Sequence, residues 1–273
     1  MNDFRIDAIG GLKAGLEIFE LAIIPSLLNN SDTWVEMDSE CEKKLEKLQN
    51  IMFKNLFAVP ESTPKPILRF DLGNLSMIEK VHIRKLNLIH HLKYLKPDSL
   101  GAEFYSQQVQ YNFPGLVKEG RTLIKRYSLP DIIDGGIDVS KNSWKQIVKK
   151  AVKEKSERDI KKEFSNYSKL EHLKVPSEKL EIKEYVTNLS LRNARTKFRY
   201  RSHMLDTKIN MKSNQSYAND LWRCDFCRSV DTQAHILWCP AFAPLRDGKS
   251  LSDDYDLVSY IQAVMKFRNE HSC

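Results

Sequence analysis

Four side chains near the C-terminal end of the chain have the types and spacing of a metal site. The stretch "RCDFCRSVDTQAHILWCP" holds Cys224, Cys227, His235 and Cys239, which gives the pattern C-x2-C-x7-H-x3-C. A C-x2-C pair suits a tight turn that directs two thiolates at one ion, and a His and a Cys four residues apart share one face of a helical turn. Three sulfurs and one nitrogen fill a tetrahedral site and leave no position for a catalytic water. The pattern therefore predicts a structural zinc ion (Zn2+).

The residues around these four favour a metal site over its alternative, which is two buried free thiols and a core histidine. Asp231 or Thr232 can cap the helix that would carry His235, and Pro240 would help to end that helix. A short β-hairpin is expected around the first two cysteines. In so short a segment zinc would dominate the stability, because metal binding by small zinc fingers contributes on the order of 10–16 kcal/mol at neutral pH.

The helix predicted before the cysteines carries a row of positive charge. In "SLRNARTKFRYRSHML", Arg192, Arg195 and Arg199 are three and four residues apart, so they share one helical face. Lys197 and Arg201 extend the positive surface, while the interleaved apolar residues can face the core. A basic helix that leads into a zinc site is suited to contacting the phosphates of a nucleic acid. The alternative is a solvated helix face without a ligand.

The positive charge of the chain is concentrated in one segment. The 273 residues have a net charge of +7, and the segment from Lys141 to Lys212 has 20 Lys and Arg against nine Asp and Glu. The rest of the chain therefore carries a net negative charge. A basic segment between acidic flanks favours an anionic partner, and nucleic acid is the usual one.

Composition also narrows the class of protein. Three of the five cysteines lie at metal spacing and the other two, Cys41 and Cys273, are isolated, which is typical of an intracellular protein, cytoplasmic or nuclear. No run of 18 apolar residues is present, and the first residues lack the basic start and uninterrupted apolar stretch of a signal peptide. We therefore expect no membrane partner.

The hydrophobic periodicity predicts a mainly α protein, because apolar residues recur three or four apart over most of the chain. Helices are expected before Pro25 and over 38–57, 76–92, 103–117, 143–174 and 177–205. The predicted organisation is a helical domain over 1–130, a linker over 131–142, a basic helical region over 143–206, a zinc-binding segment over 207–245 and a C-terminal helical tail over 246–273.

Four segments, taken in order, resemble a known family. They are "LAIIPSLLNNSDTWVEM", "LEKLQNIMFKNLFAVPESTPKPILRFDLGNLSMIEKVHIRKLNLIHHLKYL", "RTKFRYRSHML" and the cysteine cluster with its "HILWCP". Their order is similar to the C-terminal part of the reverse transcriptases of non-LTR (LINE-type) retrotransposons. The resemblance extends from about Ile6 to Pro240. One segment departs from the family, since "LLNNS" has Asn29 where the family's "LLYGS"-like stretch has an aromatic residue.

The resemblance implies a thumb-like helical domain, then a basic helical linker and a small CCHC zinc knuckle. It also implies that template RNA or target DNA contacts the helix of Arg192, Arg195 and Arg199. For the metal, it implies the same four zinc ligands that the spacing predicts.

The catalytic part of that family has no counterpart in this sequence. Polymerisation by two metal ions needs several carboxylates held close together. The family places two of them in an aromatic-x-Asp-Asp hairpin within an apolar strand pair. The only adjacent aspartates here, Asp253 and Asp254, follow no apolar strand and precede an amphipathic run, as at a helix N-terminus. We therefore expect this chain not to be an enzyme.

The predicted function is that of a non-catalytic nucleic-acid-binding fragment of a retrotransposon reverse transcriptase. It would grip template RNA or target DNA through the basic helix and the zinc knuckle, and a palm-containing reverse transcriptase chain is a possible further partner. Two alternatives stay open, which are a zinc-stabilised helical module that binds a protein and a relic of the element without a function. Salt-dependent binding of RNA or DNA would separate the nucleic-acid-binding function from the protein-binding module.

Overall fold

The structure is a computed structural model that describes residues 10–35, 37–170, 173, 179–211 and 222–271. The described residues are mainly α-helical, as the sequence predicts. Their only β pairings outside helices are two isolated bridges, Leu72 with Ile182 and Arg223 with Val230. None of the described helices is both long and apolar enough to cross a lipid bilayer.

The helices follow one another closely along the chain. In order they are α1 (Gly11–Ile18), α2 (Ile24–Leu27), α3 (Ser39–Phe57), α4 (Lys65–Asp71), α5 (Met77–Lys93), α6 (Leu100–Tyr111), α7 (Leu116–Tyr127), α8 (Lys141–Phe164), α9 (Glu184–Asn188), α10 (Leu191–Arg201), α11 (Lys208–Met211), α12 (Gln233–Trp238), α13 (Ala243–Arg246) and α14 (Asp254–His271). A π-helical turn and several short 3-10 turns lie between some of them.

Pro25 does not end the first helical segment, contrary to the prediction. Residues Phe19–Ile23 form a π-helical turn in which the N–H of Ile24 donates to the carbonyl of Phe19, and the chain then continues as α2. A proline lacks an N–H and crowds the carbonyl four residues before it. The wider turn accommodates both effects, so the helical path persists past the proline.

Polar residues begin the two long helices of the first half. The hydroxyl of Ser76 accepts from the N–H of Glu79 at 3.1 Å, and the Glu79 carboxylate accepts from the N–H of Ser76 at 2.7 Å. This reciprocal pair is a capping box, in which Ser76 is the N-cap of α5. Helix α3 is capped by Asp38, which accepts from the N–H of Cys41 at 2.6 Å.

Two predicted helices end earlier than their apolar periodicity suggested. The helix predicted over 103–117 stops at Tyr111, because Asn112 adopts a left-handed conformation (φ 50°, ψ 36°) before Pro114. The helix predicted over 143–174 stops at Phe164. Residues 171, 172 and 174 of that prediction lie outside the described residues.

The helix predicted over 177–205 is two helices, α9 and α10. Leu189 and Ser190 are extended, and the Ser190 hydroxyl caps α10 by accepting from the N–H of Asn193 at 3.3 Å. A serine favours a helix start over a helix interior, because its side chain can replace a backbone acceptor. Residues 177 and 178 of the prediction lie outside the described part of the chain.

The largest hydrophobic cluster joins the start of the chain to its middle. It contains buried side chains of α1 to α5, the end of α8, α9 and α10. Phe57 and Phe198 stack at its centre, with ring centroids 3.7 Å apart. Side chains from both sides of the predicted 131–142 linker therefore share one core.

A second cluster lies between α5, α7 and the first half of α8. Trp144 is buried there, and its indole N–H donates to the carbonyl of Leu86 at 3.0 Å. Further along α8, the Ser156 hydroxyl donates to the Glu79 carboxylate at 3.0 Å. Since Trp144 pairs with the later residue of α5 and Ser156 with the earlier one, the two helices run antiparallel.

A third cluster surrounds the cysteine-rich segment. The buried side chains come from that segment, from the end of the α10 region and from α14, and they are Leu205, Cys224, Ile236, Cys239, Phe242, Leu257, Tyr260, Ile261 and Val264. The long helix α14 therefore supplies much of the apolar surface that a short metal-binding segment lacks.

Candidate metal centre

The first two cysteines of the cluster lie on one tight loop. The N–H of Cys224 donates to the carbonyl of Ser229 at 2.7 Å, and the N–H of Arg228 donates to the carbonyl of Cys224 at 2.9 Å. Arg228 is left-handed (φ 64°), which returns the chain so that Val230 forms a bridge with Arg223. The expected β-hairpin is thus reduced to a single bridge around a turn that carries both thiols.

Helix α12 and the residue after it position the other two side chains. The Thr232 hydroxyl accepts from the N–H of His235 at 3.0 Å, so Thr232 rather than Asp231 is the N-cap. The N–H of Cys239 donates to the carbonyl of His235 at 2.8 Å, which places the two side chains one helical turn apart. Pro240 follows directly, and α12 ends at Trp238, as the sequence predicts.

The four side chains lie close enough together to hold one metal ion. Their ligand atoms all lie within 4.8 Å of one another. The Cys227 Sγ is 3.2 Å from His235 Nε2 and 3.6 Å from Cys239 Sγ. A zinc ion with Zn–S distances near 2.3 Å and Zn–N distances near 2.0 Å separates such ligands by about 3.5–3.8 Å. These four residues could therefore hold one metal ion.

The protonation of the thiols depends on their surroundings. Burial, together with the neighbouring thiols, raises the pKa of Cys239 to about 12, so this sulfur keeps its proton at neutral pH when no cation is bound. Burial also acts to raise the pKa of Cys227, but hydrogen bonds from Ser229 and from the other thiols lower it overall. A metal ion would displace the Cys239 proton, which makes binding at this site dependent on pH.

Asp231 connects the metal-binding segment to the rest of the chain. It is fully buried, and its Oδ2 accepts from the N–H of Lys208 at 2.8 Å and from Arg268 Nη2 of α14 at 2.5 Å. The hydroxyl of Tyr260 donates to the carbonyl of Ile236 at 2.7 Å and adds a second link to α14. The sequence suggested only a capping role for Asp231. Its partner Arg268 is 37 residues away, and no local pattern indicates that contact.

Arg192, Arg195 and Arg199 share one face of α10, as their spacing predicts, and line one groove. The Arg195 Nε donates to the carbonyl of Leu56 at 2.9 Å, and Arg199 Nη2 donates to the carbonyl of Ala58 at 2.5 Å. Both carbonyls belong to the end of α3, where unpaired carbonyls and the helix dipole favour cations. Two of these arginines therefore stabilise the fold.

The other two cations of α10 form ion pairs within the fold. Lys197 Nζ lies 2.6 Å from Asp254 Oδ1 at the start of α14. The Arg201 guanidinium binds both carboxylate oxygens of Asp71, at 2.9 and 3.1 Å. The predicted contacts of Lys197 and Arg201 with nucleic acid stay a prediction.

A second basic surface lies on α8. Trp144, Val148 and Val152 form its buried row, so the residue after each of them, Lys145, Lys149 and Lys153, points away from the core. Lys150 is exposed beside this row. Lys153 Nζ lies 3.9 Å from Glu181 Oε1. Among the described residues, Lys145, Lys149 and Lys150 have no ion-pair partner, unlike the cations of α10 that bind Asp71 and Asp254.

The adjacent aspartates serve the start of α14, as their sequence context suggests. Asp253 Oδ1 accepts from the N–H groups of Tyr255 and Asp256 at 2.9 and 3.0 Å. Asp254 is the partner of Lys197. Carboxylates at these positions satisfy orphan N–H groups and complement the positive end of the helix dipole.

Comparison of the chain with protein-family models, curated proteins and solved structures gives no match. The Cys3His group is therefore recognised only from the positions of its own side chains. It is a cluster of four side chains that could hold a metal ion, in a mainly helical chain.

Proposed function

We propose that the chain is a non-catalytic nucleic-acid-binding protein whose C-terminal part is held together by one structural zinc ion. The zinc ligands are Cys224, Cys227, His235 and Cys239. Because protein side chains occupy all four positions, the ion has no open site for a water or a substrate, and its role is to fix the fold.

The observation that carries the nucleic-acid proposal is the lysine surface of α8, formed by Lys145, Lys149, Lys150 and Lys153. Like charges four residues apart on a helix cost a few tenths of a kcal/mol per pair. Three of these lysines have no carboxylate partner among the described residues. A phosphate backbone would neutralise the row, and the release of its counterions would favour binding.

The resemblance to the C-terminal part of LINE-type reverse transcriptases gives the proposal a biological setting. A thumb-like helical body, a basic helical linker and a CCHC knuckle in that order would grip template RNA or target DNA without polymerase activity. The positions of Arg192, Arg195 and Arg199 along one groove support a second contact beside the α8 row.

Binding of the zinc-loaded chain to labelled RNA, duplex DNA and an RNA–DNA hybrid, measured from 50 to 300 mM salt, tests the proposal. We expect the logarithm of the affinity to fall linearly with the logarithm of the salt concentration, with a slope of about −2 to −4 for three to four phosphate contacts. A zinc-loaded chain that binds none of the three ligands at 50 mM salt would overturn the proposal.

One observation favours a second candidate function, a helical module that binds a protein. Leu100, Phe104 and Tyr111 lie on one face of α6 and are exposed, Leu100 at 82%. Phe113 stays exposed next to Tyr111, with ring centroids 5.6 Å apart. Contiguous exposed apolar residues are typical of contact surfaces. Absence of nucleic-acid binding in the salt titration would favour this candidate.

A further inference from the structure

A groove between α10, α14 and the end of α3 has the size and lining of a small-molecule site. Its volume is about 690 Å3, within the range of about 300–1,000 Å3 that ligand pockets span. Four cationic side chains line it, against two carboxylates, and they are Arg192, Arg195, Arg199 and Lys266. The groove therefore has a surplus of positive charge.

The guanidiniums of Arg195 and Arg199 are held in place by hydrogen bonds, and each has further N–H donors that no acceptor among the described residues meets. Arg195 and Arg199 each use one nitrogen to bind a carbonyl at the end of α3, which fixes their planes. Among the described residues, no acceptor meets the terminal nitrogens of Arg195, and the buried Nε of Arg199 has no partner. Burial and the charge of Arg199 both lower the pKa of Arg195, which indicates that the two cations repel each other.

Among the described residues, the carboxylates of the groove accept no hydrogen bond from these two arginines. Asp206 Oδ2 forms an ion pair with Arg199 Nη1 at 3.8 Å, which is outside hydrogen-bond distance. Glu270 lies 3.8 Å from Lys266, an exposed pair on the surface of α14. An anion that accepts from the terminal nitrogens of Arg195 and from Arg199 Nη1 would satisfy donors that the described residues leave without a hydrogen bond.

The remaining lining of the groove suits a flat ring attached to such an anion. Ala58, Ala263 and Met265 contribute apolar surface to the groove, whereas Leu205 and Ile261 in its lining are buried in the third cluster. The Gln262 amide nitrogen donates to Asn193 Oδ1 at 3.0 Å and to Thr196 Oγ1 at 3.2 Å, so α14 is fixed against α10. Nucleobases stack on guanidinium planes and pack against apolar side chains.

We infer that this groove binds one nucleotide, with its phosphate on Arg195 and Arg199 and its base on the apolar wall of α14. The nucleotide is either a free mononucleotide or one unit of a single strand. The strand source rests on the proposed nucleic-acid function, whereas the free source does not.

The test uses the zinc-loaded full chain with 5′-AMP, adenosine and a single-stranded DNA decamer, measured by calorimetry. We expect 5′-AMP to bind at least about tenfold more tightly than adenosine, because only 5′-AMP offers a phosphate to the two guanidiniums. Equal affinity for the two compounds, or no binding of either, would overturn the inference.

Two variants locate the site. R195Q/R199Q removes both central cations, and R192Q/K266Q removes two exposed ones, of which Lys266 pairs with Glu270 at the surface. We expect each to weaken 5′-AMP binding by about tenfold or more. The control K43Q/K47Q makes the same charge change on the exposed face of α3 and should leave it unchanged. Equal loss in the control would contradict a site in the groove.

The decamer separates this inference from the proposed function. Decamer binding with no binding of 5′-AMP, unchanged in both groove variants, would overturn the groove site and leave the α8 surface. Binding of 5′-AMP without the decamer would assign the groove to free nucleotides and overturn the strand source, while the salt titration decides the proposed function. Loss of both ligands in the groove variants would support a strand contact.

Discussion

Arg201 of α10 holds the carboxylate of Asp71, at the end of α4, through two hydrogen bonds of 2.9 and 3.1 Å. The Asp71 side chain is fully buried, and the hydroxyl of Tyr185 donates to the same carboxylate at 2.7 Å. Burial beside this carboxylate raises the pKa of Tyr185 well above its usual value. Residues 130 positions apart in sequence thus form one charged network in the core.

We expect Arg201→Met to lower the free energy of unfolding by about 3–5 kcal/mol, because it leaves the Asp71 carboxylate buried without its cation. The double variant Asp71→Asn/Arg201→Met removes the buried charge and should recover at least about 1 kcal/mol of that loss. Urea unfolding followed by circular dichroism measures both. A double variant less stable than Arg201→Met alone would contradict the assignment of this pair.

Gly73 should tolerate no side chain. It is left-handed (φ +59°), and an added Cβ would lie 2.5 Å from the backbone nitrogen of Ile182 and 2.6 Å from the carbonyl carbon of Glu181. We expect Gly73→Ala to cost about 2–4 kcal/mol, from left-handed strain and from a backbone clash that no rotamer relieves.

Gly136 provides the matched control for that substitution. It is also left-handed (φ +65°), but an added Cβ would meet nothing within 4 Å. Gly136→Ala should therefore cost only the conformational strain, about 1 kcal/mol. Similar losses in the two variants, measured by thermal unfolding, would show that the approach of the 181–182 backbone to Gly73 is not tight.

His82 should make the fold sensitive to acid. Burial, with smaller contributions from Arg126 and Lys85, lowers the pKa of His82 from 6.5 to about 4, and its Nδ1 lies 2.7 Å from the hydroxyl of Tyr127. The unfolded chain then binds more protons than the folded one between pH 6.5 and 4. The contribution of neutral His82 to the free energy of unfolding is fully present above pH 6.5. It falls by about 3 kcal/mol as the pH drops to 4.

The variant His82→Gln keeps a polar partner for Tyr127 and removes the titration. We expect the difference in unfolding free energy between the wild type and this variant to change by about 3 kcal/mol from pH 7 to pH 4, in favour of the variant. Taking the difference cancels the acid sensitivity of the cysteine-rich segment, which the two proteins share. Parallel pH profiles would mean that His82 titrates normally.

The proposed metal centre predicts about one zinc ion per chain. Loss of this ion should unfold the residues around it. Cys224→Ser/Cys227→Ser should lose the metal and the protection of amides in α12 from hydrogen exchange, while α5 and α8 keep theirs. Cys41→Ser is the control, because Cys41 is exposed and distant in sequence from the cluster. Equal zinc content in the wild type and in both variants, measured by mass spectrometry, would contradict the proposed metal centre.

The local features of the sequence predicted the metal cluster and the helical class. Four candidate ligands within 16 residues identify a site whose geometry depends on one turn and one short helix, and both form from nearby residues. The capping serine of α5 follows from the same kind of local signal, since Ser76 and Glu79 are three residues apart.

Tertiary contacts decided the features that the sequence did not predict. Arg195 and Arg199 face one side of α10, as their spacing requires, but their partners are carbonyls of α3 about 140 residues earlier. The partner of Arg201 is equally remote. Periodicity shows which side chains share a face and gives no information about what that face meets.

Substitutions on the α8 surface test the proposed nucleic-acid binding most directly. We would measure the salt dependence of RNA binding for K145Q/K149Q/K150Q and for K43Q/K44Q/K47Q, which removes the same charge from exposed positions of α3. The account predicts that the α8 variant loses affinity and that its log–log slope is smaller by about two to three, with little change in the α3 variant. Equal effects of the two variants would mean that binding follows net charge, which would contradict a nucleic-acid site on α8.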